Sequence, residues 1–95
     1  METVITNILR DLGLTERQAV RDYALLNSSQ KAAEFEQDCK VFENKYKMSF
    51  QEFENKLRSV DEEVFEKEDD YLEWKFAAEG AAYWREKIEQ LKREQ

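Results

Sequence analysis

The chain has 95 residues, with 41% apolar and 39% charged side chains, no proline, no histidine and two glycines. That length allows one domain and a thin core, and the proline-free, charge-rich composition indicates an all-α protein built from long helices. The formal net charge of −7 makes the chain a poor general binder of nucleic acid, which needs a basic footprint to displace counterions.

Val4, Ile5, Ile8, Leu9 and Leu12 repeat at one-face helical spacing, and Gly13 suits a left-handed cap with Leu14 folding back. Three turns alone are not stable, so this first helix must dock onto something. Thr15, Glu16, Arg17 and Gln18 form a capping box that opens a second helix. Along it Leu25, Ser28, Ala32, Phe35, Cys39, Phe42 and Tyr46 follow one another at spacings of three and four, a coiled-coil-like seam. Unbroken from Glu16 to Lys47, the helix would be about 48 Å long, which favours an extended or oligomeric molecule. Asn27-Ser28-Ser29 is its weak point, a place for a kink or a split, because these side chains compete for backbone hydrogen bonds.

A boundary follows at Lys47-Met48-Ser49. Ser49 and Glu52 make a second capping box, and Met48 and Phe53 occupy the positions of a hydrophobic staple. The short third helix carries Phe50, Phe53 and Leu57 on one face and fades at Ser59-Val60. Residues 61–70 then hold seven acids (Asp61, Glu62, Glu63, Glu66, Glu68, Asp69 and Asp70) against one base, whereas residues 1–60 hold ten acids and nine bases. Nearly all the excess acid lies in this strip. It reads as an acidic segment able to steer a basic partner, with Asp69 or Asp70 capping the last helix.

The last helix is the most apolar. Trp74, Ala77, Ala81, Trp84, Ile88 and Leu91 make one stripe, and Leu72, Phe76 and Tyr83 lie off it. That is more apolar surface than one neighbour would cover. Trp74 and Trp84 are assigned to the core or to a dimer. Phe65, Tyr71, Leu72, Phe76 and Tyr83 are assigned to a partner surface, since aromatic side chains dominate binding hot spots. Residues 1–60 thus form a helical platform and 61–95 a binding segment, within one domain spanning 1–95.

Enzymatic constellations are missing. There is no His, CxxC, phosphate loop or GxSxG elbow. The single Cys39 falls on the seam and behaves as a small hydrophobe. Asp69, Asp70, Glu73 and Glu66 are explained more simply by helix capping than by Mg²⁺ or Ca²⁺ binding. No catalytic residue, metal or cofactor is expected. A helix-turn-helix reading of residues 14–46 fails because its recognition helix would present Glu34, Glu36 and Asp38 to phosphates. With no signal-like start and no run near the roughly 20 residues of a membrane span, a cytoplasmic protein without membrane contact is expected.

The run Phe42-Glu43-Asn44-Lys45-Tyr46-Lys47-Met48-Ser49-Phe50-Gln51-Glu52-Phe53-Glu54, with Asp69-Asp70-Tyr71-Leu72-Glu73-Trp74-Lys75 after the acidic strip, resembles a pattern of small helical proteins. These are bacterial and archaeal antitoxins of type II toxin–antitoxin pairs, reading roughly FExKYGMSFEEFE and then D[YW]xEWE. The resemblance covers about residues 35–90 and departs at Lys47, where the pattern usually has Gly. It implies an acidic protein that covers the active site of a small basic toxin, often an RNA-cleaving one, and that, as a dimer with toxin bound, represses its own operon. The acidic strip would face the toxin's nucleic-acid groove. The alternative is a scaffold protein forming a homodimer through the seam Leu25, Ala32, Phe35, Cys39, Phe42 and Tyr46.

Overall fold

A computed structural model describes residues 3–59 and 65–94, with the backbone alone for Phe65 and Glu66. Among the described residues there are four helices and no strand: α1 Val4–Asp11, α2 Glu16–Tyr46, α3 Phe50–Ser59 and α4 Phe65–Arg93. The architecture is all-α. Two long helices, α2 and α4, lie antiparallel along most of their length, α3 covers one end of the pair, and α1 precedes the other end. The molecule measures 67 × 23 × 20 Å with a radius of gyration of 20.0 Å. A compact chain of this length would have a radius near 12 Å, so the expected elongation is present.

The local start and stop signals work as read. Thr15 accepts from the Gln18 amide at 3.1 Å while the Gln18 carboxamide accepts from the Thr15 amide at 2.8 Å, completing the capping box. Gly13 takes φ +73°, and the amides of Gly13 and Leu14 donate to Arg10 and Leu9 carbonyls at 3.0 and 2.8 Å. This is a Schellman end to α1. Ser49 accepts from the Glu52 amide at 3.2 Å, but the Glu52 carboxylate takes the Ser49 hydroxyl instead of reaching back to the backbone. Half of the second box is formed.

Two boundary expectations need correction. α2 runs unsplit through Asn27-Ser28-Ser29. Ser28 is buried against α4's side of the helix, and the Asn27 side-chain amide donates to the Tyr23 carbonyl at 2.9 Å, so neither unwinds the backbone. Second, α4 begins at Phe65, so Asp69 and Asp70 lie inside the helix and cap nothing. Glu and Lys are good helix formers, and carboxylates favour the positive end of the dipole, which lets the helix reach back into the acidic strip. Asp61, Glu62 and Glu63 lie outside the described residues.

Lys47 replaces the glycine of the resembling pattern yet performs its conformational task. It adopts φ 55°, ψ 40° and its amide donates to the Glu43 carbonyl at 2.7 Å, so α2 stops sharply after Tyr46. A side chain in that left-handed conformation costs about 1–2 kcal/mol.

The core is small and aromatic. Trp74 is fully buried, and its ring meets Phe42 and Tyr46 from α2 (centroids 5.7 and 6.2 Å) and Phe50 and Phe53 from α3 (5.5 and 5.2 Å). Ala32, Phe53, Ala77 and Ile88 complete the buried apolar set. Among the described residues the Trp74 indole N–H finds no hydrogen-bond acceptor. Leaving such a donor unpaired typically costs about 1–3 kcal/mol, which the burial of the ring must outweigh. Midway along the pair the ring of Phe35 lies directly over Gly80. A Cβ added there would approach Phe35 ring carbons to 2.8 Å.

Two substitutions test this packing. In an exposed helix interior, Gly→Ala stabilises by about 1 kcal/mol; Gly80→Ala is expected instead to lower stability by about 1–3 kcal/mol, because the Phe35 ring must move. Lys47→Gly is expected to do the reverse and raise stability by about 0.5–1 kcal/mol, the relief of the left-handed strain exceeding the added chain entropy. Chemical denaturation of each variant beside the parent protein reads both signs.

Candidate interaction surface

The inner stripe of α4 faces α2. Trp74, Ala77 and Ile88 are buried on it and Ala81, Trp84 and Leu91 are half-buried. The facing stripe of α2 is the heptad seam. Ser28 and Ala32 are buried and Leu25, Phe35, Cys39, Phe42 and Tyr46 are half-buried. The seam assigned to oligomerisation is therefore occupied by α4 of the same chain. A second copy using it would have to displace α4. Of the two tryptophans, Trp74 is core, while Trp84 packs edge-on against Tyr83 at 5.2 Å.

Polar contacts fix the register of the two helices at three places. At one end the Arg21 guanidinium Nε donates to the Glu94 and Leu91 carbonyls at 3.0 and 3.3 Å, the Leu91 carbonyl accepting also from the Glu94 amide, and this places a cation at the negative end of the α4 dipole. In the middle Arg85 grips Glu36 through both carboxylate oxygens. The Arg85 hydrogen bond, chiefly, holds the Glu36 carboxyl below its ordinary range. At the other end Asp70 accepts from Lys45 Nζ at 2.7 Å and from the Tyr46 hydroxyl. The Lys45 hydrogen bond first, then that of Tyr46, lowers the Asp70 pKa. The Asp70 side chain is only 16% exposed, so this contact is the least screened by solvent.

Tyr71, assigned to a partner, is engaged within the molecule. Its ring stacks on Phe50 with centroids 5.8 Å apart, and its hydroxyl donates to Glu54 at 2.8 Å, tying α3 to α4. Leu72, Phe76 and Tyr83 are 63%, 68% and 55% exposed, although the Phe76 ring also meets Phe35 of α2 edge-on at 5.6 Å. With Phe65 their spacings are seven, four and seven, which places all four backbone positions on one outer stripe of α4. The Phe65 side chain lies outside the described residues. Glu68 and Asp69 are exposed near the start of the same helix.

Beside this stripe runs an open groove of about 530 Å³, lined by Asp38, Val41, Phe42, Leu72, Glu73, Phe76 and Ala77. Its apolar floor is flanked by one carboxylate from each helix. Val41, 56% exposed, is a contributor that the sequence reading passed over, although it follows Asp38 by three positions and adjoins Phe42. Cys39 is half-buried, and burial, followed by Glu43, Asp38 and Glu36, pushes its thiol pKa up, so it stays protonated at neutral pH. Among the described residues no group of three or more His, Cys, Asp or Glu side chains is arranged to hold a metal ion, and no helix is long and apolar enough to cross a membrane.

Comparison with known proteins finds no family model, no curated protein and no solved structure that matches this chain.

The ion pairs imply a pH dependence with a definite sign. Because the folded-state pKa of Asp70 is lowered, its contribution is fully present above the unfolded aspartate pKa, near 4, and is lost as pH falls through the lower folded value. Asp70→Asn is expected to be less stable than the parent at neutral pH and to lose that deficit as pH falls through the lowered folded-state pKa of Asp70. Thermal unfolding of both proteins across the acid range measures the convergence; a constant gap would mean the charge is immaterial.

Proposed function

We propose that this chain is an antitoxin-like protein that binds a small basic toxin, of the RNA-cleaving kind, and neutralises it by covering the toxin's active site. The observation that carries the reading is the outer stripe of α4, where Leu72, Phe76 and Tyr83 stay exposed after the inner stripe has met α2. Large apolar side chains held at fixed spacing on a well-packed helix are the kind of anchors that fill pockets on a partner. Asp38 and Glu73 flank the adjoining groove, and Glu68 and Asp69 of the acidic strip are exposed near the start of the same helix. Such a surface suits a partner that combines apolar pockets with a basic rim, as an RNA-binding face does.

In this reading the chain acts by binding and performs no catalysis, and repression of its own operon by the toxin-bound form belongs to the same proposal. The seam-mediated scaffold has less support, because α4 already fills the 25–46 seam.

The test is co-expression with the product of the adjacent gene. Growth arrest by the neighbour alone, relief by this protein, and a co-purifying complex are the expected results. A harmless neighbour, or one that stays toxic and unbound, sinks the reading. Leu72→Glu with Phe76→Glu is expected to weaken the complex by at least about 100-fold. Tyr71→Phe, which removes only an internal hydroxyl contact, is expected to leave affinity within about threefold.

A further inference from the structure

The groove beside the outer stripe of α4 has Val41 of α2 and Leu72 and Phe76 of α4 as its exposed apolar walls. Phe76 is steadied edge-on by Phe35, with ring centroids 5.6 Å apart, so the fold itself holds this wall in place. Each wall carries one carboxylate, Asp38 on α2 and Glu73 on α4, and no lysine or arginine lines the groove. Neither carboxylate makes an ion pair among the described residues. Glu36, Glu54 and Asp70, by contrast, are paired with Arg85, Arg58 and Lys45.

The walls decide what kind of segment can lie here. Both are helix interiors, whose amides and carbonyls bond within their own helix. An extended segment laid between them would find no backbone partner and would bury its own polar groups unpaired. A helix brings its backbone bonds with it, and seating a helix in an apolar groove between two others is ridge-into-groove packing. The carboxylates decide the charge. With one on each wall, the incoming apolar stripe needs a cation on both of its sides. A second copy of this chain meets that demand poorly, since its own exposed stripe starts beside Glu68, Asp69 and Glu73.

We infer that this groove seats an amphipathic helix of the partner protein, whose apolar stripe is flanked on both sides by lysine or arginine. This deepens the toxin-binding reading and rests on it for the identity of the partner.

The probe is a synthetic peptide of about 18 residues, long enough to form a helix. Leucine stands at every third or fourth position, lysine on both flanks of that stripe, and alanine elsewhere. Titration calorimetry against the full chain at about 0.05 M salt is expected to give a Kd of about 0.1 mM or tighter. The same residues rearranged so that leucine and lysine alternate, a strand pattern, are expected to bind at least about tenfold more weakly. Asp38→Lys with Glu73→Lys, both exposed positions, is expected to weaken the lysine peptide at least about tenfold. That variant is also expected to prefer the peptide with glutamate in place of lysine. Glu43→Lys with Glu89→Lys, an equal change of net charge at exposed positions outside the groove, is expected to leave binding within about threefold. No binding at about 1 mM lysine peptide overturns the inference, as does tighter binding of the alternating peptide or equal weakening by the two charge reversals. Self-association of the chain that competes with the peptide would give the groove to a second copy and overturns it too. If the neighbouring gene product binds the Asp38→Lys, Glu73→Lys protein with unchanged affinity, the helix assignment falls while the toxin-binding reading stands. A harmless neighbour beside a peptide that binds as expected sinks that reading and leaves the groove assignment in place.

Discussion

Everything in this molecule depends on burying one indole ring. Trp74 brings the two long helices and α3 to one point, with rings from α2 and α3 around it at centroid distances of 5.2 to 6.2 Å. A chain of 95 residues with few other buried side chains has little else to spend on a core. Folded proteins are stable by only about 5–15 kcal/mol, and a buried aromatic side chain commonly contributes about 3–5 kcal/mol against truncation. The aromatic node therefore fixes where α3 sits and which face of α4 turns inward. Small residues, Ala32 and Ser28 on α2 with Ala77 and Gly80 on α4, let the same two helices remain close further along, where no large buried ring holds them.

Turning the Trp74 stripe inward has an unavoidable consequence. Leu72 and Phe76 lie well over a quarter-turn of helix away from that stripe, at 100° per residue, and α2 is too narrow to cover both. α3 could have covered them but is held by Tyr46, Phe50 and Tyr71 at the other side of the Trp74 cluster. The exposed stripe is thus the residue of a packing choice made by the aromatic cluster. Phe76 still meets Phe35 of α2 edge-on, with ring centroids 5.6 Å apart, so the stripe borders the helix interface while most of its apolar area stays exposed on an otherwise charge-rich surface.

Much of this was legible from spacing and capping chemistry. The Thr15 box, the Gly13 turn and the two 3–4 stripes are local patterns, and local patterns survive folding because they need only their own turn of helix. What spacing alone left open was long-range. The α2 seam is as good a match to a copy of itself as to α4, and only tertiary structure chooses between them. Tyr71 looked like Leu72 in sequence, yet one helical step of about 100° puts it on Phe50 and Glu54 and leaves its neighbour outside. Gly80 gave no signal at all, since a lone glycine in a helix carries no mark of the ring that will lie over it. Asp70 was read as a cap from its acidity, whereas its partners Lys45 and Tyr46 lie more than twenty positions away.

The elongated shape finally separates two apolar surfaces in space. From Arg17 to Val41 the rise of α2 is about 36 Å, so the exposed apolar face of α1 and the groove beside Leu72 sit toward opposite ends of the helix pair. Occupation of one cannot block the other sterically. Segregation along a molecule 67 Å long keeps each apolar face a separate patch instead of one continuous exposed surface.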